Sequence, residues 1–332
     1  MREPRFWRRS GSLLSRAAAP AAAIYGAVSG ARMARPGASA GVPVFCVGNY
    51  HVGGAGKTPA VLALGEILKG LGEQPVVLSR GYGGRLPGPV QVDAERHAAA
   101  DVGDEPLMMT RQMPVIVSRD RVAGATLARS IGASVIVMDD GFQNPSLKKD
   151  TSLIVIDARR GIGNGRVVPA GPLRAPLAGQ LARTDSLIVI GEGEAANDVA
   201  AQVKGRGGAV WHARIVPEPA SFAALRGHRL LAFAGIGDPD RFLATLRDNG
   251  SDVAKTRAFP DHHVFSAADI AGLVSDAARE GLMLVTTEKD AARMRGTATA
   301  PEGLATLAIG LEFDRSDDLR RFLTQRLSLA RT

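Results

Sequence analysis

Lys57 and Thr58 close the glycine-rich part of the run "CVGNYHVGGAGKTPAVLAL" (46–64), and this pair is suited to gripping phosphate. At the start of a helix, backbone N–H groups hold phosphate oxygens and a lysine reaches the β- and γ-phosphates. A threonine hydroxyl there is a ligand for Mg²⁺. Gly53, Gly54, Ala55 and Gly56 supply the permissive turn. A strict G-x-x-x-x-G-K-[ST] pattern has glycine at position 51, where this chain has His51. That position only shapes the entry to the turn, so the core of the signal survives.

Carboxylates recur at the ends of apolar runs. "VIVMDDGFQ" ends in Asp139 and Asp140, which are placed to hold Mg²⁺ or its waters; the residues alone do not say which of the two does so. "GDEP" sets Asp104 and Glu105 at a helix start, where the pair reads first as caps. "SRGYGGR" brings Arg80 and Tyr82 into a glycine loop suited to phosphate or sugar, and "GNGRVVPAGPLRAP" (163–176) is a long loop with Arg166 and Arg174. "FPDHHVF" places Asp261, His262 and His263 together, a combination for proton handling rather than for metal. "TTEKD" (286–290) reads as helix capping with surface charge.

The elements that must position these groups are legible as a repeat of strand, loop and helix. "VPVFCVGN", "PVVLS", "PVIVS", "SVIVMDD", "SLIVIDA" and "SLIVIG" are apolar along their whole length. Such strands are covered on both faces and belong in a mostly parallel sheet flanked by helices, an α/β architecture. Pro217 and Pro219 mark a linker, after which strand–helix pairs resume and end in "LATLAIGLEF" and a last helix. The expected organisation is an N-terminal segment (1–40), a larger phosphate-loop domain (41–216) and a smaller α/β domain (217–332) that closes a cleft.

Charge is distributed unevenly. The net charge is +8, of which residues 1–35 carry +6 through seven arginines against Glu3. The body of the chain lacks the basic, aromatic-interleaved face of a nucleic-acid binder, and no obligate protein partner is implied. Trp7, Leu14, Ala21 and Val28 repeat every seven residues in the N-terminal segment. With Phe6, Trp7 and the arginines, this fits a helix lying in the headgroup layer of an anionic membrane, and no apolar run is long enough to span one. The single cysteine, Cys46, excludes an intrachain disulfide and sits in an apolar run as a buried thiol would.

In the order "VGNYHVGGAGKTP", "SRGYGG", "GDEP", "SRDR", "DDGFQ", "VIDARRGIGNGRVVPAGPLR", "FPDHH" and "TEKD", the chain resembles the tetraacyldisaccharide 4′-kinases, the lipid A 4′-kinases of Gram-negative bacteria. The resemblance implies ATP and Mg²⁺, and a lipid acceptor, tetraacyldisaccharide 1-phosphate, phosphorylated on its 4′-hydroxyl to give lipid IVA. It implies two α/β/α units with the site between them, and peripheral attachment to the cytoplasmic face of the inner membrane. It carries over Asp104 as base, overturning the cap reading, paired with His262 or His263. Glu105 then assists a metal held by Thr58 with Asp139 or Asp140, and Arg80, Tyr82, Arg119 and Arg174 become candidates for substrate contact. The competing class is a nucleotide switch. Against it, no Asn/Thr-Lys-x-Asp follows a late strand, since Lys289 directly precedes Asp290.

Overall fold

The computed structural model of the protein describes residues 4–9, 11–54, 56–295 and 300–332. Its strands are β1 (Val44–Gly48), β2 (Pro75–Ser79), β3 (Val90–Gln91), β4 (Val115–Val117), β5 (Val135–Asp139), β6 (Thr151–Asp157) and β7 (Ser186–Ile190). They continue with β8 (Ala209–Pro217), β9 (Arg229–Ala234), β10 (Asp252–Ala258), β11 (Met283–Thr287), β12 (Ala305–Leu307) and β13 (Ile309–Phe313). One sheet has the order β13-β8-β7-β6-β1-β5-β2-β4-β3 and is parallel except for its edge strands, β3 and β13. Every residue of β1, β2, β4, β5, β6 and β7 is buried, as their unbroken apolar runs require. Successive side chains serve two cores: Phe45, Val47 and Val137 pack on one face, Val44, Cys46 and Ile136 on the other. Burial raises the Cys46 thiol to about 12, which leaves it inert.

The helix Lys57–Gly70 follows β1 through a turn whose last residue, Gly56, has φ 86°. A Cβ there would stand 2.7 Å from Ile190 Cδ1, so both conformation and space call for glycine. Pro59 falls in the first turn, where N–H groups have no helical partner. Val61, Leu64 and Leu68 then bury one face of the helix against the sheet.

The second sheet, β10-β9-β11-β12, is all parallel and forms a smaller unit. The chain does not stay in it to the end. "LATLAIGLEF" reads as one strand, yet it breaks at Ala308 into β12 of the small sheet and β13 of the large one. The helix Ser316–Arg331 then buries Leu319, Leu323 and Leu327 in the larger unit's core. The last segment of the expected 217–332 domain therefore belongs physically to the first unit. Pairing with the otherwise open edge of β8 and the apolar stripe of the last helix explain its return.

The N-terminal segment departs from expectation at its anchor. Trp7 is buried, its indole Nε1 donating to the Pro169 carbonyl at 2.9 Å and its carbonyl accepting from Asn164 N at 2.7 Å. The polar tip of the ring finds its partner in the protein rather than in a headgroup layer. Helices Leu13–Ala17 and Ala19–Met33 follow, burying Ser15, Ala22, Gly26 and Met33. Leu13, Leu14, Ile24, Tyr25 and Val28 point to solvent. No helix among the described residues is long and apolar enough to cross a membrane.

Candidate active site

The glycine loop leaves β1 at the middle of the large sheet. Asn49, fully buried, donates from its amide to the Gly53 carbonyl at 3.1 Å. His51 does not enter a tight turn. It is buried in a bridge to Leu173, and Val52 N donates to Pro172 O, so the 163–176 loop braces the entry that a glycine would otherwise shape. The same bracing delivers Arg174, whose Nη1 donates to Asp140 at 2.6 Å. Lys57 Nζ lies 3.7 Å from the same carboxylate oxygen. Burial works to raise the Asp140 pKa, but Lys57 and Arg174 outweigh it and hold the group ionised. Ala55 lies outside the described residues.

Asp139 has a different environment. It is buried, and one carboxylate oxygen accepts from Ser79 Oγ at 3.1 Å while the other, Oδ1, has no hydrogen-bond partner. Burial, then the charges of Glu105 and Asp140, push its pKa up to about 7. An orphaned buried carboxylate oxygen is costly unless something cationic meets it. An anionic oxygen donor of this kind, with Thr58 buried at the start of the helix after the glycine loop, fits a hard divalent cation. Among the described residues no group of three or more His, Cys, Asp or Glu is arranged to hold a metal. A phosphate-loop Mg²⁺ needs none, because phosphate oxygens and water complete its shell.

Asp104 opens the helix Asp104–Met109 directly after Gly103, which has φ 93°. Its side chain is not spent on capping alone. One oxygen accepts from Glu105 N at 2.9 Å, while the other accepts from Arg293 Nε at 2.8 Å and from Arg293 Nη2. Arg293 also donates to Asp290 and to the Gly235 carbonyl, each at 2.7 Å. His262 Nδ1 approaches the same Asp104 oxygen at 3.6 Å, too far for a direct hydrogen bond. Burial favours the neutral acid, but His262, Arg293 and Lys289 overcome it and hold Asp104 far below the usual carboxylate range. In return, Asp104 raises the pKa of His262.

The structure separates the two histidines: His263 pairs with Asp269 at 3.1 Å, leaving His262 to Asp104. Among the described residues, only Asp140 (φ 50°) and His262 (φ 59°) are non-glycine residues with positive φ. Both sit where charged groups converge, a place where backbone strain is retained for what it positions.

Glu105 is paired with Lys289, whose charge lowers its pKa. The ring of Tyr82 lies 5.9 Å from that of His262. Arg80 is exposed, and Arg119, also exposed, donates to the Gly84 carbonyl at 3.4 Å; no ion pair among the described residues holds either. Arg166 turns to the N-terminal helix, donating to Ser15 O at 3.3 Å.

Two side chains central to the site are not legible as such in the sequence: Lys289 reads there only as surface charge, and Arg293 belongs to no motif. "TTEKD" does cap a helix, with Thr287 Oγ1 accepting from Asp290 N, but its charges are not a solvated surface. The available signal was the i, i+4 spacing of Lys289 and Arg293, which puts both on one helix face just after a strand. Arg121 likewise carries no site signal in the sequence. It is buried under the site, and burial lowers its pKa against the opposing pull of Asp139.

A cavity of about 800 Å³ runs between the units and is lined by Gly53, Gly54, Lys57 and Glu105 on one side and by Phe242 and Asp261 on the other. Strand-end carboxylates, a strand–glycine loop–helix in mid-sheet and an inter-unit cleft together define an α/β phosphotransferase. The family model described as tetraacyldisaccharide-1-P 4′-kinase matches residues 14–328. The chain belongs to this family, the kinases of lipid A biosynthesis. It is 62% identical to the tetraacyldisaccharide 4′-kinase of Nitrobacter winogradskyi, covering all of this chain and 99% of that one. It is also 62% identical to the Bradyrhizobium diazoefficiens protein of that name, with 100% and 98% coverage. The crystal structure of LpxK from Aquifex aeolicus in complex with ATP matches with a TM-score of 0.74 at 26% identity, over 95% of this chain and all of that one.

Proposed function

We propose that the protein transfers the γ-phosphoryl group of ATP to the 4′-hydroxyl of tetraacyldisaccharide 1-phosphate, forming lipid IVA. The observation that carries this reading is the convergence of Lys57 with Glu105 and Asp261, the sequence neighbours of Asp104 and His262, on one inter-unit cavity. Phosphoryl transfer asks the protein mainly for position and charge, because its transition state is loose and spreads charge over phosphate oxygens.

Lys57 meets the phosphates, with Arg174 and Asp140 fixing its surroundings. Thr58 and Asp139 would hold Mg²⁺, which when bound neutralises phosphate charge. Asp140 is already committed to two cations, so Asp139 is the stronger candidate for direct ligation. Glu105 sets the local field through its charge and its pairing with Lys289.

Asp104 is too acidic to retain a proton. Its task is to orient the acceptor hydroxyl and accept its proton late, as the O–P bond forms. His262, made more basic by the adjacent carboxylate, then holds that proton. Because Arg293 and His262 come from the smaller unit, the relative placement of the units governs assembly of the pair. Tyr82, whose ring lies 5.9 Å from that of His262, and the exposed Arg80 are the candidates for contact with the sugar.

The exposed Leu14, Ile24, Tyr25 and Val28 support peripheral attachment at the cytoplasmic face of the inner membrane, near the acyl chains of the acceptor. Trp7 is not part of that contact.

The test is transfer of labelled phosphate from ATP to purified acceptor with Mg²⁺ in detergent, beside Lys57→Ala. Label in the lipid, reduced by about 10²–10³-fold in the variant, is expected. Nucleotide hydrolysis without labelled lipid would overturn the reading in favour of a switch protein.

A further inference from the structure

Gln180 belongs to no sequence motif, yet its side chain is fully buried in the short helix Leu177–Leu181, between the 163–176 loop and β7. Burying a primary amide is unfavourable unless its hydrogen bonds are met. Three segments of the site meet them here. Its Nε2 donates to the Tyr50 carbonyl at 3.3 Å, at the entry of the glycine loop, and to the Ala175 carbonyl at 2.8 Å. Its Oε1 accepts from Gln143 Nε2 at 2.9 Å, in the turn that follows Asp139 and Asp140. The orientation of both amides is determined, because a backbone carbonyl can be met only by the NH₂ end. Gln143 Nε2 also donates to the Asn49 carbonyl at 2.7 Å, which turns Gln143 Oε1 toward Arg174 Nη1, 3.5 Å away.

Arg174 stands where these contacts converge. Its backbone N–H donates to the same Tyr50 carbonyl at 2.9 Å, the next carbonyl in the chain is the one Gln180 holds, and its guanidinium faces Gln143. Its task follows from two distances to one oxygen. Arg174 Nη1 is 2.6 Å from Asp140 Oδ1, whereas Lys57 Nζ is 3.7 Å from it, beyond a hydrogen bond. Asp140 therefore bonds Arg174, and the Lys57 ammonium keeps its donors for phosphate. Were Arg174 to swing away, Asp140 would draw in Lys57 and compete with the phosphates.

We infer that Gln180 is a positioning residue for the nucleotide site: through Gln143 and the Tyr50 and Ala175 carbonyls it holds Arg174 on Asp140, and so leaves Lys57 available to phosphate. This role rests on the kinase reading and adds to it a residue that acts through another.

The test sets Gln180→Met, Arg174→Met and the double variant beside the parent. ATP affinity is read by calorimetry in Mg²⁺ without acceptor, and turnover by phosphate transfer to the lipid. Gln180→Met is expected to weaken ATP binding about tenfold, the worth of one hydrogen bond to a charged group, and to slow turnover at least as much. In the Arg174→Met background the same substitution is expected to change either quantity by less than about twofold, because the residue through which it acts is already gone. ATP affinity within about twofold of the parent in Gln180→Met would overturn the assignment. Equal losses in both backgrounds would overturn it too, since a glutamine that only supports the fold acts whether or not Arg174 is present. If Gln180→Met does not fold, Gln143→Met cuts the same relay at its half-buried end. A loss of ATP affinity there that vanishes in Arg174→Met supports the relay; full affinity, or an equal loss in both backgrounds, refutes it. The calorimetric arm needs no acceptor, so a parent that binds ATP but leaves the lipid unlabelled would refute the kinase reading separately.

Discussion

Arg293→Met tests how the acceptor end of the site is held. The Arg293 side chain is 9% exposed and lies between Asp104, 7% exposed, and Asp290, which is fully buried. It also satisfies the Gly235 carbonyl. Methionine keeps much of the volume and removes the charge, leaving two carboxylates buried near each other without their shared cation. Removing one partner of a buried ion pair costs about 3–5 kcal/mol. Asp290, already shifted upward by burial, can relieve part of this by taking a proton, so the lower end is expected, about 3 kcal/mol near pH 8. The sign of the pH dependence follows. In the parent, Asp104 has a depressed pKa, so its contribution is present above the ordinary carboxylate range and fades as pH falls through its folded value. In the variant the carboxylates are raised instead, so the folded state gains protons and the deficit shrinks toward about pH 5. Urea unfolding followed by far-ultraviolet circular dichroism at both pH values measures it. Turnover is expected to fall while ATP affinity holds, with Arg293→Lys intermediate because one ammonium cannot reproduce the fork. A loss under about 1 kcal/mol, equal at both pH values, would refute the argument that Arg293 neutralises a buried acid pair.

Gly103→Ala places a Cβ 2.5 Å from the Tyr82 carbonyl at a residue with φ 93°, so the start of the Asp104 helix must shift. Transfer activity is expected to drop with a stability loss of about 2 kcal/mol, and an unchanged rate in the radiolabel assay would contradict the tight placement of Asp104. His262 has a raised pKa because of Asp104, so Asp104→Asn should lower its titration midpoint in proton NMR. The stability linked to His262 is present below its ordinary value of about 6.5 and is lost as pH rises through the raised one, so the same variant should flatten that dependence. Ile24→Asn with Val28→Asn, both exposed in the parent, should weaken binding to anionic vesicles by roughly tenfold per side chain and leave the melting temperature unchanged; vesicle co-sedimentation decides.

The sequence by itself determined what is local. Short, β-branched Val/Ile/Leu runs bounded by turn residues read as strands covered on both faces, and a lysine and threonine after a glycine turn are legible because strand, loop and helix are contiguous in the chain. The eight ordered motifs likewise carried the family from residue order alone. The tertiary structure decided what depends on distant partners. Asp104 read as a helix cap because Arg293, 189 positions away, is invisible to local pattern, and "TTEKD" read as surface charge because its partner Glu105 lies in the other unit. His262 and His263 are equivalent until Asp269 takes one of them. Trp7 read as a membrane anchor because amphipathic period records which side chains avoid water, and it does not record whether protein or lipid covers them. The return of β13 and the last helix to the large sheet depended on an open strand edge, a property of the assembled sheet that no stretch of sequence contains.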